Sequence, residues 1–464
     1  MNHKLAGLIS LLAFLVTTSV VIAAESESPK QVLFKNVNVF NGTENKIYEN
    51  HQVLVEGNLI KEISSGEIEP NTGATVVDGG GRTLTPGFVE SHAHLVLMGP
   101  SVAAMEANKT WEDFGIHAGK MAEMYLMQGF TTVRDAGGAN GGIRRAIDSG
   151  VIVGPRHYAS GAFIGTRGGH GDFSDFTSPP DAETNVGRLN ISQQVNGADD
   201  VLKFARNNFR MGATQIKFMQ SGGVMTAFDP FTLLAGSKAE LEAAVQVANE
   251  YGSYVMAHAY RKEAAMAALN AGVKSLEHNF GFDKDIADLM KKKGAYTTSN
   301  LTAFDPSIFE IPPVRDVPSS LAKALAARDM FKNYIPNLKK YPVKRAFSTD
   351  CIDTVERCNI QIAYEKHLNA EHFGPFEALV AMTSVGGELV ALSGDFQNPY
   401  RQGKLGVIEK GAYADLLLLD GNPLVDFSVT GAGDKWLDAE PRPASPETIR
   451  IIMKDGVFYK NTLN

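Results

Sequence analysis

Residues 85–94 read Thr-Pro-Gly-Phe-Val-Glu-Ser-His-Ala-His, and this stretch decides how the chain is interpreted. A short apolar run ends in His92 and His94, whose side chains share one face because side chains alternate along a β-strand. Two imidazoles on one face can bind one metal ion. By itself, a His-x-His pair is equally typical of solvent-facing histidines at a strand end. The interpretation therefore depends on the rest of the chain.

Four more candidate ligands lie in or directly after short apolar, β-like runs: Lys217, His258, His278 and Asp350. With the run before His92 these make five predicted strands, and runs at residues 130–133, 157–160 and 295–298 bring the number to eight. Helix-like stretches separate the runs, which indicates a parallel sheet with βα crossovers. The predicted fold class is therefore α/β, a (β/α)8 TIM barrel. Because this fold carries its chemistry at the carboxyl ends of its strands, we expect all six side chains to converge there.

This order of ligands along eight strands resembles the amidohydrolase superfamily, in its binuclear subtype with a carboxylated lysine. Four motifs are similar to the imidazolonepropionase-related branch, which contains metal-dependent Xaa-Pro dipeptidases and carboxypeptidases; they lie at residues 132–135, 168–172, 216–225 and 258–260. The resemblance spans nearly the whole mature chain. It implies a barrel with a small β-domain and a metal site. It is less specific for the substrate.

Three positions depart from the pattern of the superfamily. Glu90 stands where the family more often has Asp, Asn279 follows His278 in place of a common Gly, and Ser348 replaces a frequent Gly before Thr349. None of these changes removes a ligand. We expect them to alter the shape of the pocket more than the metal centre.

Lys217 gives the sharpest physical argument. A lysine inside an apolar strand that points into a closed barrel would lose much solvation by keeping its charge. We expect it to lose its proton or to change chemically, since a neutral amine can add carbon dioxide to form a carbamate whose two oxygens bridge two cations. The alternative is a lysine on the outer face, paired with a helix carboxylate.

The ligand set and the resemblance predict two Zn²⁺, or other divalent ions, per chain, bridged by N6-carboxylysine. We expect His92 and His94 to bind the more buried ion with Asp350, and His258 and His278 to bind the other. Zinc lowers the pKa of bound water from about 15.7 toward about 7. A metal-bridging hydroxide would then attack the amide carbonyl, and Asp350 would pass the proton to the leaving nitrogen.

Two further residues are candidates for catalysis. The resemblance implies that Tyr260 donates to the carbonyl oxygen, and that His170 orients this tyrosine or holds the carboxylate of the substrate. Packing of Tyr260 against the barrel rim is the alternative. Candidate contacts to a substrate carboxylate are Arg167, Arg261 and the segment Ser221, Gly222 and Gly223.

The two ends of the chain share a different pattern. Residues 31–82 and 403–464 contain short runs that alternate apolar and polar residues around turn signals, as in β-hairpins. Neither half is expected to bury a core alone, so we predict that they pair into one discontinuous β-sandwich beside a barrel over 83–402.

Two insertions interrupt the barrel, at residues 164–198 and 301–344. Both follow strand ends, so we expect them to form walls or a lid of the active site, the alternative being loose surface loops. A helix is predicted over 319–332. Cys351 and Cys358 are the two cysteines of the chain, and either a disulfide or two free thiols fits the sequence.

Residues 1–24 have the features of a secretory signal. Lys4 supplies a positive start, residues 5–22 are mostly apolar and uncharged, and small residues follow at the expected cleavage point. A retained membrane anchor is the alternative, although the apolar stretch is marginal for a span. We expect a mature protein that is secreted or periplasmic and does not contact the membrane after signal removal.

Composition limits the partners. The chain has 464 residues, 44% of them hydrophobic, which suits a large barrel with a small second domain. Its net charge of -8, without a basic cluster, argues against nucleic acid or an anionic membrane as partner. We expect a small-molecule or peptide substrate, and the sequence leaves a homo-oligomer open.

These features predict an exported, metal-dependent amidohydrolase. We expect it to hydrolyse the amide bond before a C-terminal residue, as a dipeptidase or carboxypeptidase of Xaa-Pro or Xaa-Lys/Arg type. The alternative is a hydrolase of a non-peptide amide, such as a lactam, an imidazolone-like ring or an aryl-acyl amino acid. A third hypothesis is a metal- or solute-binding protein without catalysis. It is disfavoured because binding alone does not require Asp350 beside a bridging hydroxide.

Overall fold

A computed structural model describes residues 29–99, 106, 109–226 and 228–463. The predicted signal at residues 1–24 lies outside the described residues. The described strands, numbered along the chain, are β1 (Gln31–Val39), β2 (Tyr48–Glu56), β3 (Leu59–Ser64), β4 (Thr75–Asp78), β5 (Thr83–Pro86), β6 (Phe88–Ala93), β7 (Phe130–Asp135), β8 (Arg156–Tyr158), β9 (Phe163–Thr166), β10 (Ser192–Val195), β11 (Ile216–Met219), β12 (Val255–Ala259), β13 (Ser275–His278), β14 (Tyr296–Ser299), β15 (Arg345–Phe347), β16 (Leu416–Leu419), β17 (Ile449–Lys454) and β18 (Val457–Asn461).

Helices alternate with the strands in the middle of the chain. They are α1 (Trp111–Met127), α2 (Gly141–Asp148), α3 (Asn185–Arg188), α4 (Ala198–Arg210), α5 (Lys238–Glu250), α6 (Lys262–Ala271), α7 (Lys284–Lys293), α8 (Pro312–Arg315), α9 (Pro318–Lys340), α10 (Val355–Phe373), α11 (Pro375–Met382), α12 (Ser384–Ala391) and α13 (Gly394–Gln397). Short 3-10 helices cover Leu301–Phe304, Pro306–Glu310 and Phe427–Thr430. Within the described residues, no helix combines the length and the apolar character needed to cross a membrane.

Strands from both ends of the chain form one mixed sheet, the terminal sheet. Its order is β18-β17-β16-β5-β1-β2-β3, with β4 beside β1, and the two halves meet where β5 pairs antiparallel with β16. Buried side chains such as Phe34, Val53, Leu416 and Ile451 form its own core. Both predicted terminal segments thus contribute to this sheet, and β5 extends it past residue 82.

The remaining strands form two parallel sheets. One has the order β6-β7-β8 and the other the order β10-β9-β11-β12-β13-β14-β15. All eight predicted strand runs are strands here. Backbone hydrogen bonds also link the sheets, since Asp350 N–H donates to His92 C=O at 3.0 Å and Thr214 N–H donates to Ala159 C=O at 2.7 Å. The chain is therefore an α/β protein with parallel sheets, and complete closure of a (β/α)8 barrel stays a prediction.

The two insertions contain more regular structure than their composition indicates. In the first, β9 and β10 extend the seven-stranded sheet, and Ile164 of β9 pairs with Phe218 of β11. In the second, the predicted helix over 319–332 is longer and continues to Lys340, with Pro336 inside it. Cys351 and Cys358 are joined by a disulfide after β15. Of the two alternatives that the sequence left open, the structure contains the bridge.

Candidate active site

The six predicted ligands lie at the carboxyl ends of the parallel strands. His92 and His94 are at the end of β6, and Lys217 lies within β11. His258 is the penultimate residue of β12, His278 is the last residue of β13, and Asp350 follows β15. The sheet places them on one side because the carboxyl ends of parallel strands share an edge. The lysine and the histidines are buried, and the side chain of Asp350 is 19% exposed.

Asp350 lies at the centre of the cluster. Its Oδ1 is 3.2 Å from His94 Nε2 and 3.4 Å from His92 Nε2, and its Oδ2 is 3.7 Å from His278 Nδ1. Lys217 Nζ lies 3.4 Å from His92 Nε2. Ligand atoms of His92, His278 and Asp350 lie within 4.8 Å of one another, which is close enough for them to share one metal ion.

His258 joins the cluster through its ring rather than through Asp350. Its ring centroid is 4.6 Å from that of His278 and 4.2 Å from that of His170, on which it stacks. Its Nε2 faces the carbonyl oxygen of Gly222 at 3.4 Å. The structure therefore brings all six predicted ligands together, with His258 on the side of His170.

Two of the ligands have left-handed backbone conformations. His278 has φ of 68° and Asp350 has φ of 51°. Such conformations cost roughly 1 kcal/mol or more for residues other than Gly. Asn300 stabilises both residues, because its Oδ1 lies 3.0 Å from His278 Nδ1 and its Nδ2 donates to Asp350 Oδ2 at 3.4 Å. At these two positions the backbone leaves the extended conformation of a strand, and both side chains lie in the cluster.

A buried ion pair beneath the cluster orients His92. Glu277 Oε2 lies 2.6 Å from His92 Nδ1, and Arg134 Nη2 donates to both oxygens of Glu277 at 2.9 and 3.0 Å. Burial by itself would raise the pKa of Glu277, but the Arg134 guanidinium holds that pKa well below its usual value. The carboxylate fixes the proton of His92 on Nδ1 and leaves Nε2 to face Lys217 and Asp350. Sequence reasoning missed Glu277, although a charged residue inside an apolar strand beside a ligand was the available signal.

Burial sets the protonation of the cluster. It lowers the pKa of His92 to about 3, that of His278 to about 4 and that of Lys217 to about 8. Although burial by itself would raise the pKa of Asp350, the neighbouring imidazoles, with His92 first, hold it below the usual range. The site therefore offers neutral imidazoles, a carboxylate and an amine that readily loses its proton, which are the forms that bind metals.

A second network holds His170, which lies in the first insertion. His170 Nδ1 is 2.7 Å from Thr226 Oγ1 and 3.2 Å from Asp229 Oδ2. Asp229 in turn accepts from Gly223 N–H at 2.6 Å and from Lys323 Nζ at 3.1 Å. Lys323 belongs to α9, so a residue of the second insertion determines how a residue of the first is held. Nothing local in the sequence joins these positions, and sequence reasoning missed both charged residues.

Tyr260 lies next to two of the candidate ligands. Its ring centroid is 4.4 Å from that of His258 and 5.1 Å from that of His278. Burial raises the pKa of its hydroxyl, so this group stays protonated and can donate a hydrogen bond. The ring also packs on Phe280 at 4.5 Å between centroids, so the residue contributes to the wall of the site as well.

The predicted substrate contacts are arranged differently. Arg167 is not brought to the cluster, because its guanidinium donates to the carbonyl oxygens of Ser178 and Pro179. Ser221 accepts from the backbone N–H of Tyr260 at 3.0 Å. At Gly223, a Cβ would lie 2.2 Å from the ring of His170. The Ser221 to Gly223 segment thus supports the histidines and Tyr260.

A larger cavity adjoins the ligand cluster. It has a volume of about 530 Å³ and shares Met225, Tyr260, Asp350 and Ile352 with the small cavity that contains the ligands. Apolar side chains form most of its wall, and many come from the second insertion: Ile308, Ile311, Val314, Ala324 and Phe331. The arrangement suits a substrate whose reacting bond lies at Asp350 and whose apolar part extends away from it.

Comparisons with known proteins agree with this geometry. The Amidohydrolase family profile matches residues 83–456. Ochratoxinase of Aspergillus niger is 32% identical over 352 residues, and the match covers 72% of this chain and 66% of the ochratoxinase, slightly less than two thirds.

Two crystal structures are similar over nearly the whole chain. A prolidase complexed with N-methylphosphonate-L-proline is 29% identical with a TM-score of 0.81, covering 93% of this chain and 100% of the prolidase. A Xaa-Pro dipeptidase with methionine bound in its active site is 26% identical with a TM-score of 0.78, covering 93% of this chain and 100% of the dipeptidase. The predicted resemblance is confirmed.

Proposed function

The chain belongs to the amidohydrolase family, and from that premise we propose that it is a metal-dependent hydrolase that cleaves the amide bond before a C-terminal residue. The observation that carries the proposal is the convergence of four histidines, Lys217 and Asp350 beside a mostly apolar cavity. The similarity to a prolidase and a Xaa-Pro dipeptidase supports dipeptidase or carboxypeptidase activity.

The donor set fits two divalent cations, with zinc the first choice. Imidazole nitrogens and carboxylate oxygens are the ligands that zinc prefers when cysteine is absent from the site. Lys217 is fully buried, and among the described residues no carboxylate lies within ion-pair distance of its Nζ. A carbamate on Lys217 would turn this amine into an anionic bridging ligand. When bound, such cations polarise a carbonyl oxygen and lower the pKa of water.

The residues of the chain supply the remaining steps. Asp350 accepts a proton from the attacking water and delivers it to the leaving nitrogen, so the amide becomes a carboxylic acid and an amine. The Tyr260 hydroxyl donates a hydrogen bond to the carbonyl oxygen, where negative charge develops. His170, held through its Nδ1, lines the small cavity that contains the candidate ligands.

The lining of the cavity bears on the substrate. A mostly apolar wall favours Pro or Phe over Lys or Arg as the C-terminal residue, although Glu310 and Asp353 also line it. The similarity to ochratoxinase supports a second candidate, hydrolysis of an aryl-acyl amino acid. Both reactions break a C–N bond next to a free carboxylate. Hydrolysis of a lactam or an imidazolone-like ring opens the ring and releases no C-terminal residue, and a binding protein would not need Asp350 as a proton carrier.

Export and architecture complete the proposal. The strand order and the linking backbone hydrogen bonds support a closed (β/α)8 barrel, and the signal-like residues 1–24 support a secreted or periplasmic enzyme. The partner is then a small peptide or an acyl amino acid outside the cytoplasm.

One experiment separates the candidates. The mature protein, loaded with zinc, is incubated with a library of Xaa-Pro, Xaa-Phe, Xaa-Lys and N-aroyl amino acids, and the released amino acids are measured by mass spectrometry. We expect release of the C-terminal residue, abolished in Asp350→Asn but not in the exposed control Arg206→Gln. Lactams are tested in parallel. Turnover of lactams but of no member of the library, or of neither, would contradict the proposal.

A further inference from the structure

Arg357 is an unusual residue in the larger cavity. This cavity is mostly apolar, and Arg357 lines it together with Tyr260 and Asp350 of the candidate active site. The residue is only partly exposed. A guanidinium keeps its charge at any physiological pH and is costly to remove from water without an anion.

Within the described residues, no partner neutralises the charge of Arg357. Among the described residues, no carboxylate lies within 4.0 Å of the Arg357 guanidinium and no hydrogen bond from it is found, whereas the buried Arg134 and Arg156 pair with Glu277 and Asp415 at 2.9 Å. An arginine that lacks a partner inside a cavity is suited to bind a ligand anion. Carboxylates match the planar fork of the guanidinium in a bidentate way.

The two acids that line the cavity do not occupy Arg357. The Asp353 carboxylate accepts from the backbone N–H of Thr354 at 2.7 Å, and Glu310 is exposed. Neither is within ion-pair distance of the guanidinium in the described part of the chain. Arg357 thus lines the same cavity as Asp350 without a carboxylate partner among the described residues.

The backbone of Arg357 is held in place by its surroundings. It lies in the first turn of α10, where its backbone N–H donates to Thr354 Oγ1 at 3.3 Å. The disulfide between Cys351 and Cys358 closes the loop that leads from Asp350 to Arg357. The positive end of the helix dipole adds to the attraction for an anion. The loop therefore holds a proton carrier and a cation at two ends of one short, cross-linked segment.

We propose that Arg357 binds the free carboxylate of the C-terminal residue of the substrate, with the apolar side chain of that residue against the wall of the larger cavity. This inference rests on the proposed function. It identifies the substrate class as an acyl amino acid or dipeptide with a free carboxylate and an apolar body, and it makes Arg357 a specificity residue.

Paired substrates test the inference. N-benzoyl-L-phenylalanine and its carboxamide are compared as substrates of the zinc-loaded mature protein, wild type and Arg357→Gln. We expect the wild type to prefer the acid by about 10- to 100-fold in kcat/KM, as for loss of a hydrogen-bonded charge. Arg357→Gln should lose this preference through a higher KM for the acid, with the carboxamide unchanged within about twofold.

Two control variants make the result specific. Arg357→Lys keeps the positive charge but lacks the planar guanidinium that binds a carboxylate through two hydrogen bonds. It should retain part of the preference for the acid over the carboxamide. Arg206→Gln removes an arginine that is half-exposed and pairs with Glu250 at 3.6 Å on the surface. It should leave kcat/KM unchanged for both substrates. An equal fall for acid and carboxamide in Arg357→Gln, or a wild type that does not distinguish them, overturns the inference and leaves the hydrolase proposal intact.

A binding measurement covers the case without turnover. Calorimetric titration with L-phenylalanine and L-phenylalaninamide, the released product and its neutral analogue, should show binding of the acid that Arg357→Gln removes. If neither substrate is cleaved but this binding pattern holds, the reaction is wrong and the carboxylate site stands. If wild type and Arg357→Gln bind L-phenylalanine equally, the carboxylate site is wrong.

Discussion

Replacement of Asp229 by Asn tests how the two insertions hold His170. The Asp229 side chain is fully buried and that of Lys323 is 9% exposed, with 3.1 Å between carboxylate oxygen and amine. Removing one partner of a buried ion pair lowers the free energy of unfolding by about 3 to 5 kcal/mol, because the other charge remains uncompensated. Lys323 keeps the carbonyl oxygens of Thr226 and Asp229 as acceptors, so we expect the lower end, about 3 kcal/mol.

Adding Lys323→Met to Asp229→Asn should recover much of this loss, because the double variant no longer buries an unpaired charge. Activity should not recover. His170 Nδ1 still lacks its anionic partner, and loss of a supporting hydrogen bond of this kind costs about 10- to 100-fold. Stability and turnover should therefore separate in the double variant.

The assay combines urea unfolding, followed by circular dichroism, with steady-state kinetics on the same zinc-loaded samples. The single variant Lys323→Met completes the double-mutant cycle. It should lower the free energy of unfolding by less than Asp229→Asn, since Asp229 keeps three other donors: His170, Thr226 and Gly223. A double variant that is less stable than Asp229→Asn, or one that regains full turnover along with stability, would refute the reasoning.

Four further outcomes are expected. The mature protein should contain two divalent ions per chain by elemental analysis. Lys217→Ala should lose metal and activity, and a short carboxylic acid should restore part of its rate. Asp350→Asn should keep its metals, and the acid should not rescue it. Near-normal turnover of Lys217→Ala would exclude carboxylated Lys217 as a ligand that bridges two metal ions. Gly223→Ala should lower kcat by about 100-fold at nearly unchanged metal content, because the new Cβ would lie 2.2 Å from the His170 ring. Mass spectrometry of the exported protein should show that residues 1–24 are removed, and a chain that begins at Met1 would support an anchor instead.

The ligand positions were predictable because they depend on short-range patterns. An apolar run followed by His92, His258 or His278 marks a strand end, and the order of the runs determines which edge they share. The predicted strands and the convergence of all six ligands followed from these two rules. Ion pairs such as Asp229 with Lys323 are different, since 94 residues separate the partners and no local pattern links them.

Composition was a poor guide to the first insertion. Its Gly, Asp, Ser, Thr and Pro content is typical of loops, yet Ile164 is buried and pairs with Phe218 of β11. Strands of four residues with polar positions, such as β10, carry too little alternation to be recognised. Tertiary contacts supply the burial that makes them strands. Arg167 shows the same limit, because its acceptors are carbonyl oxygens of its own loop and backbone acceptors leave no trace in the sequence.

Two histidines of the site are held by the same chemical arrangement, a carboxylate that is itself paired with a buried cation. In one case Arg134 pairs with Glu277, which holds His92, and all of these residues lie on parallel strands. In the other the cation is Lys323, which lies on helix α9 of the second insertion. The orientation of His92 is therefore as rigid as the sheet. That of His170 is only as rigid as the packing of α9 on the rest of the protein. Because His92 is a candidate metal ligand and His170 lines the small cavity beside it, we expect metal affinity to depend on the sheet and the shape of this cavity to depend on the insertions.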